Sequence, residues 1–509
     1  MSIKALVENP HQIWKRNYNY WNFLLKSYEG GIDYTQADTP ASDSGGLTVT
    51  YNGQKIDDKY NTYNLFKHKK ERSEDYRERI QMSYYYNFCA PIIDVYTNHL
   101  FRESVIENYG NIEDVVEKRR ENIDRKNSSI EEFRKELSED AQIFGHIFVV
   151  TDMPKSSGEV NLAQRISNDQ FPYFTIFYPT DVLNWALDIY GRPYWVLLRE
   201  CQDGNVDPMN YDKDKTMKYQ YRLWTRNEWY LYDSDYQLIE SGTHPIGRVP
   251  IDIVYEKPSK KYRNFLGISA ISDICFIARD VYNKCSELNE ILRNQTFAFL
   301  TLQGKSADYD EVSVGTSKAL LYPQDTNAPS FVSPPADNAK VLMDQIDRQV
   351  TKMFQLAKLE GGSASESMQI DTQSGVSKAY DFHETNAALA KKAGHMEDGE
   401  LRLWSTFAKW EGKEFDGSIQ YSRDFNVKDL MSDLVEAEKL IRFNMGEMFD
   451  NKVKEELIKK KFPRMPIEEV DKIIQESVVA SKPGAQLRSR LPGVFNNNPI
   501  FGGNGGFNQ

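Results

Sequence analysis

Gly304-Lys305-Ser306 has the residue types that close a phosphate-binding loop, in which backbone N–H groups wrap a phosphate and a lysine reaches it. That loop needs a glycine at position 299, which is Phe, so the wrap cannot be completed. His383-Glu384 opens like the helix of a zinc protease, where a second histidine one turn on completes the ligand pair. Position 387 is Ala. The 7 histidines, at 11, 68, 99, 146, 244, 383 and 395, show no ligand spacing, and His383 and His395 read as solvated helix residues. No Gly-x-Ser-x-Gly nucleophile turn occurs. Cys89, Cys201, Cys275 and Cys285 lack metal spacing and read as core residues. Cys275 and Cys285 fall on one helix about three turns apart, too far to bridge, which fits a reducing compartment. The sequence offers no catalytic constellation, cofactor loop or metal site, and an enzyme is not expected.

Three charged or flexible segments carry what chemistry remains. Lys67-His68-Lys69-Lys70 is followed at once by Glu71, Glu74 and Asp75. It reads as a solvated helix face with internal pairs, the alternative being contact with an acidic neighbour or nucleic acid. The stretch 359–374 carries Glu360, Glu366 and Asp371, no base, and Gly361-Gly362 beside Ser363, Ser365 and Ser367. It has two readings, a plain linker or a mobile functional loop. The end, 481–509, holds Lys482, Arg488 and Arg490, no acid, and much Gly and Asn around Phe495, Phe501 and Phe507. It reads as an inert disordered terminus or as a contact for a partner or phosphate.

The elements that would position these segments follow from periodicity. Residues 8–30 read as an aromatic helix and 31–55 as an exposed loop. One long helix is expected over 66–103, kinked or divided at Pro91. Ser128 and Glu131 have capping-box spacing for the next helix. Short β-branched and aromatic runs at 146–151, 173–178, 194–200, 219–224, 229–232 and 249–255 predict an antiparallel β module over 145–256. A helix over 269–295, ~40 Å long, and a second over 337–358 flank a compact insert at 297–336. Ile274, Ala278, Tyr282 and Leu288 on the first, and Ile346, Val350 and Phe354 on the second, are the expected packing stripes. A very long helix follows over 376–411, with Phe382, Leu389, Met396, Leu403 and Trp410 at heptad spacing and a bend expected at Gly394 and Gly399. A strand near 419–421 precedes two or three helices over 427–480.

The chain of 509 residues has Lys plus Arg 63 against Asp plus Glu 75, a net charge of −12, with 40% hydrophobic residues. These values suit a folded, soluble protein of several domains, α+β by the elements above, and exclude a disordered, collagen-like or disulfide-stapled chain. They also exclude a basic coat for nucleic acid, because the bulk field repels phosphate. No run reaches the ~18 apolar residues of a membrane span, and the first residues have no secretory apolar stretch.

Several stretches, in this order, resemble the portal (head–tail connector) proteins of tailed bacteriophages. They are WNFLLKSYEGG at 21–31, FGHIFVVTD at 144–152, PYFTIFYPTDVLNW at 172–185, HPIGRVPIDIVY at 244–255, ISDI at 271–274 with SEL at 286–288, and QSGVSKA at 373–379. The resemblance covers roughly 10–480. It implies a wing over 1–260, a first stem helix in 261–296, a clip over 297–336 and a second stem helix over 337–358. It further implies a tunnel loop over 359–374, a long kinked helix and wing strand over 375–426, and a crown over 427–480. The tail at 481–509 and the loop at 31–55 have no counterpart. The family assembles as a ring, usually a dodecamer, at a capsid vertex of the virion after synthesis in the bacterial cytoplasm. Double-stranded DNA is packaged and ejected through it. The implied partners are other copies of the chain, the terminase motor, the head–tail adaptor, and the major capsid or scaffolding protein, with no membrane and no cofactor. Glu360, Gly361, Gly362, Ser363, Glu366, Met368, Gln369 and Asp371 would then line the DNA channel. The stem stripes and the long helix would be candidates for the contact between copies. The alternatives are a DNA-processing enzyme that uses the β module, or a cytosolic scaffold.

Overall fold

A computed structural model describes residues 3–35, 50–51, 54–55, 64–154, 165, 168–204, 209, 217–262, 265–296, 299–301, 330–332, 336–359, 375–423, 425, 447–461 and 472–473. The chain divides into two compact units, Met1–Asn426 and Val427–Gln509.

The first unit opens with α1 (Ile3–Glu8), which stops before Pro10, and α2 (Gln12–Glu29). Trp14, Trp21, Phe23 and Leu24 of α2 are buried. The stretch expected as loop throughout contains α3 (Gly31–Thr35) and two paired strands, β1 (Thr50–Tyr51) and β2 (Gln54–Lys55). Elements this short carry no readable periodicity.

The single helix expected over 66–103 is instead α4 (Ser73–Met82) and α5 (Cys89–Leu100). The division falls at 83–88 and not at Pro91. Pro91 is the third residue of α5, where a backbone N–H has no intrahelical partner to lose. Lys67, His68, Lys69 and Lys70 lie in exposed turn and extended backbone ahead of α4 and not on a helix face. The acids that follow do pair internally, with arginines: Glu71 with Arg79 at 2.7 Å and Asp75 with Arg72 at 2.9 Å.

β3 (Ile106–Asn108) and α6 (Glu113–Arg119) lead to α7 (Ile130–Phe144). The box that starts α7 is Ser129 with Glu132, one residue beyond the pair expected. The Glu132 N–H donates to Ser129 Oγ at 3.2 Å, and the Ser129 N–H donates to Glu132 at 2.9 Å. Both pairs fit the spacing, and the one chosen makes buried Ile130 the first helical residue. Gly145, at φ +86, turns α7 directly into a strand, and a Cβ there would lie 2.4 Å from the Ile268 carbonyl carbon.

Eight antiparallel strands follow: β4 (His146–Asp152), β5 (Tyr173–Phe177), β6 (Val182–Leu187), β7 (Pro193–Asp203), β8 (Met217–Thr225), β9 (Glu228–Tyr232), β10 (Leu238–Thr243) and β11 (Ile251–Tyr255). They form two sheets, ordered β11-β4-β5 and β10-β9-β8-β7-β6. β6 and β10 exceed the expected set. β6 is a new strand after the Pro179 turn, and β10 is an exposed edge without alternation.

Next come α8 (Ile274–Thr296), β12 (Phe299–Thr301), β13 (Ser330–Val332), α9 (Ala336–Leu356), α10 (Gly375–Trp410) and β14 (Ser418–Gln420). α10 buries Leu389, Met396 and Leu403 against the rest of the unit, and the Trp410 indole donates to the Thr151 carbonyl at 2.9 Å. Its glycines serve close packing: a Cβ on Gly399 would lie 2.9 Å from Val254, and one on Gly394 2.9 Å from the Arg423 guanidinium. β14 returns to pair with β3, Ile419 opposite Glu107. The architecture is mixed α and β with antiparallel sheets, an α+β arrangement. In the second unit the described helix is α11 (Glu447–Lys461). No helix among the described residues is long and apolar enough to cross a membrane.

Candidate functional site: the helix hairpin and the loop anchors

α8 and α9 pack on each other as an antiparallel hairpin. Their far ends are joined in register by the β12–β13 pair, Phe299 opposite Val332, and Gln349 of α9 donates to Asp280 of α8. Burial pushes the Asp280 carboxyl up, but hydrogen bonds from Lys284 and Gln349 outweigh it and hold the group below its usual range. The near half of the hairpin belongs to the core. Ile274, Ala278 and Tyr282 are buried, with Cys275 and Val281 beside them, and Tyr282 meets Tyr34 and Tyr85 edge-on. Leu288, Ile346, Val350 and Phe354 are half-buried. Phe354 also meets Phe88 of α5 edge-on. The buried residues Ile274, Ala278 and Tyr282 on α8 and Leu389, Met396 and Leu403 on α10 pack within this unit, whereas the half-buried Leu288, Ile346, Val350 and Phe354 keep part of their surface exposed.

Farther out, the hairpin shows apolar side chains to solvent. Val341 is 66% exposed and Met343 52%, while Leu356, 54% exposed, sits at the near end beside the loop anchor. These were not singled out in the sequence, since they fall off the inner stripe, and a surface residue carries no periodic signal.

The eight loop residues Glu360, Gly361, Gly362, Ser363, Glu366, Met368, Gln369 and Asp371 lie outside the described residues, as do Lys482, Arg488, Arg490 and Gly304-Lys305-Ser306. The anchor before the loop is described. α9 ends in a Schellman arrangement: Lys358 has φ +55, its N–H donates to the Gln355 carbonyl at 2.9 Å, and the Leu359 N–H donates to the Phe354 carbonyl at 3.0 Å. Leu359 and Phe354 both pack against the core. The Tyr96 hydroxyl of α5 donates to the Ala357 carbonyl, and the Thr385 hydroxyl of α10 donates to the Lys358 carbonyl. The chain entering the loop is therefore tied to two other helices.

Among the described residues no group of three or more His, Cys, Asp or Glu is placed to hold a metal ion. Cys89, Cys275 and Cys285 are buried, whereas Cys201 is exposed on β7 and is not a core residue. His395 is half-buried on α10 and not solvated, and burial lowers its pKa. The chain matches no protein-family model, and no curated protein matches it.

Proposed function

We propose that the chain is a portal subunit, one of a ring, usually of twelve, that forms the channel for double-stranded DNA at one vertex of a phage capsid. The observation that carries the reading is the antiparallel α8–α9 hairpin with a strand-paired far end, followed by a firmly anchored loop and the long helix α10. The exposed apolar side chains of the outer hairpin suit contact with a second copy. The ring passes DNA without reading its sequence. It docks the terminase motor during packaging and the head–tail adaptor afterwards, and it is seated in the shell by the major capsid or scaffolding protein. It performs no catalysis of its own and belongs to the virion.

Negative-stain imaging of the purified full chain tests this. Rings with an axial channel are expected. A monomer, above all one with metal-dependent nuclease activity, overturns the proposal in favour of a DNA-processing enzyme.

The charge of the loop gives a second expected outcome. A basic bore would hold DNA phosphates by counterion release and slow its passage, whereas an acidic one would not. The double substitution Glu360→Lys with Glu366→Lys is expected to slow packaging or lower virion yield while rings still form. Packaging at the unaltered rate in that variant removes the acidic-bore account.

A further inference from the structure

Arg72, Arg79, Arg134, Arg199 and Arg222 each grip a carboxylate through the same side of the guanidinium, the edge formed by Nε and Nη2. That edge presents two parallel N–H groups at the spacing of two oxygens on one acid. Arg119, the last residue of α6, carries the same edge inside the protein. It is 3% exposed, and its Nε and Nη2 are both buried with no hydrogen-bond partner among the described residues. Its remaining terminal nitrogen, Nη1, donates to Asp169.

The surroundings are cationic. Arg125 lies 3.4 Å from the other oxygen of Asp169 and stacks on Tyr173. Lys118 and Arg165 both lie over the Phe171 ring, at 5.9 and 4.9 Å. Arg165 also pairs with Glu411, and Asp124 is taken up by the backbone N–H groups of Lys126 and Ser128. Lys118, Arg119, Arg125 and Arg165 outweigh Asp124, Asp169 and Glu411. Burial pulls Arg119 below the usual guanidinium range, and Asp169 does not restore it. A buried charge held on only one of its three nitrogens is costly, and an anion hydrogen-bonded to the unpartnered edge would remove most of that cost.

We infer that Arg119 anchors a binding site for a small oxyanion, one that presents two oxygens of a carboxylate or phosphate group to its Nε–Nη2 edge. Asp169, which holds the neighbouring Nη1, is 40% exposed. The inference is independent of the ring reading.

Thermal unfolding of the full chain, in phosphate, acetate or chloride at one ionic strength, tests it. Phosphate or acetate is expected to raise the midpoint saturably, by roughly 2 °C or more at saturation. The better of the two identifies the source as a free phosphate or as a peptide carboxylate. Arg119→Met should abolish the response. Asp169→Asn keeps an oxygen acceptor for Arg119 Nη1 and suits the φ of +50 at this position, so it should fold even if Arg119→Met does not. It removes a negative charge beside the anion and should tighten binding, by about fivefold or more. A response to chloride equal to that to phosphate, no saturable response, or unchanged affinity in Asp169→Asn overturns the inference.

Discussion

Replacing Arg134 with Met is expected to destabilise the first unit by about 3–5 kcal/mol, the usual cost of removing one partner of a buried ion pair. Arg134, on α7, is almost fully buried and makes four contacts to three groups. Its Nε and Nη2 donate to Glu400 of α10 at 2.8 and 2.7 Å, its Nη1 donates to Glu107 of β3 at 2.7 Å, and Nη2 also reaches the Tyr109 hydroxyl at 3.1 Å. Glu400 accepts further bonds from the Trp404 indole at 3.0 Å and the Tyr421 hydroxyl at 2.8 Å. Burial pushes the Glu107 carboxyl up, but Arg134 and Arg120 outweigh it and hold the group below its usual range. Without Arg134, the buried Glu400 carboxylate loses its guanidinium partner, while Glu107 keeps Arg120. Urea unfolding of Arg134→Met, Glu400→Gln and the double variant checks this. The double variant should lose clearly less than the sum of the singles, because the second change removes the charge that the first one stranded. Losses that add within ~0.5 kcal/mol would falsify the shared-network account.

That network also marks where the sequence stops being legible. Arg134 and Glu400 stand 266 positions apart, and a charged residue within a charged helix reads as solvated unless its distant partner is known. The pairing of β3 with β14 escapes notice for the same reason, since its register is set by contacts far away in the chain. Local patterns fare better. The heptad of α10 predicts its buried Leu389, Met396 and Leu403, because burial on a helix follows the 3.6-residue period. The capping box is found one residue early, because Ser128 and Ser129 precede Glu131 and Glu132 and only the burial of Ile130 separates the two frames. The break at 83–88 is assigned to Pro91, because proline is the strongest breaker and its tolerance in a first turn cannot be judged until the start of the helix is known. Arg119 gives no signal at all. In the run Lys118-Arg119-Arg120 it differs from its neighbours only by the direction in which it is buried.

The net charge of −12 excludes a predominantly basic coat for nucleic acid. It is consistent with a protein that lets DNA move past. Transport in both directions requires weak contact at every point along the path, so an acidic loop on a rigid anchor suits a channel better than a basic one. Under the proposed portal function, the anchor at Ala357–Leu359 would be the described part of that device, and its hydrogen bonds to α5 and α10 would pass force from the loop into the body of the subunit.

Acidification from pH 7 to pH 5 is expected to cost the wild-type chain about 2 kcal/mol more than a His146→Leu variant. His146 opens β4 and is fully buried, between Trp21, with ring centroids 6.0 Å apart, and Phe148, at 5.2 Å. Neither ring nitrogen has a hydrogen-bond partner among the described residues. Burial lowers the imidazole pKa from 6.5 to about 3, and the Phe144 backbone pulls only weakly the other way. The folded value lies below the unfolded one, so below pH 6.5 the unfolded chain takes up a proton that the folded chain refuses. Stability is therefore complete above pH 6.5 and falls by ~1.4 kcal/mol per unit as the pH drops towards 3. Leucine nearly conserves the volume and strands no hydrogen bond, so at pH 7 the variant should lie within ~1.5 kcal/mol of wild type. Urea unfolding of both proteins at pH 7 and pH 5 gives the difference directly, because the other titrating groups cancel between them. Equal acid sensitivity in wild type and His146→Leu would mean that this ring is not the group that resists protonation in the fold.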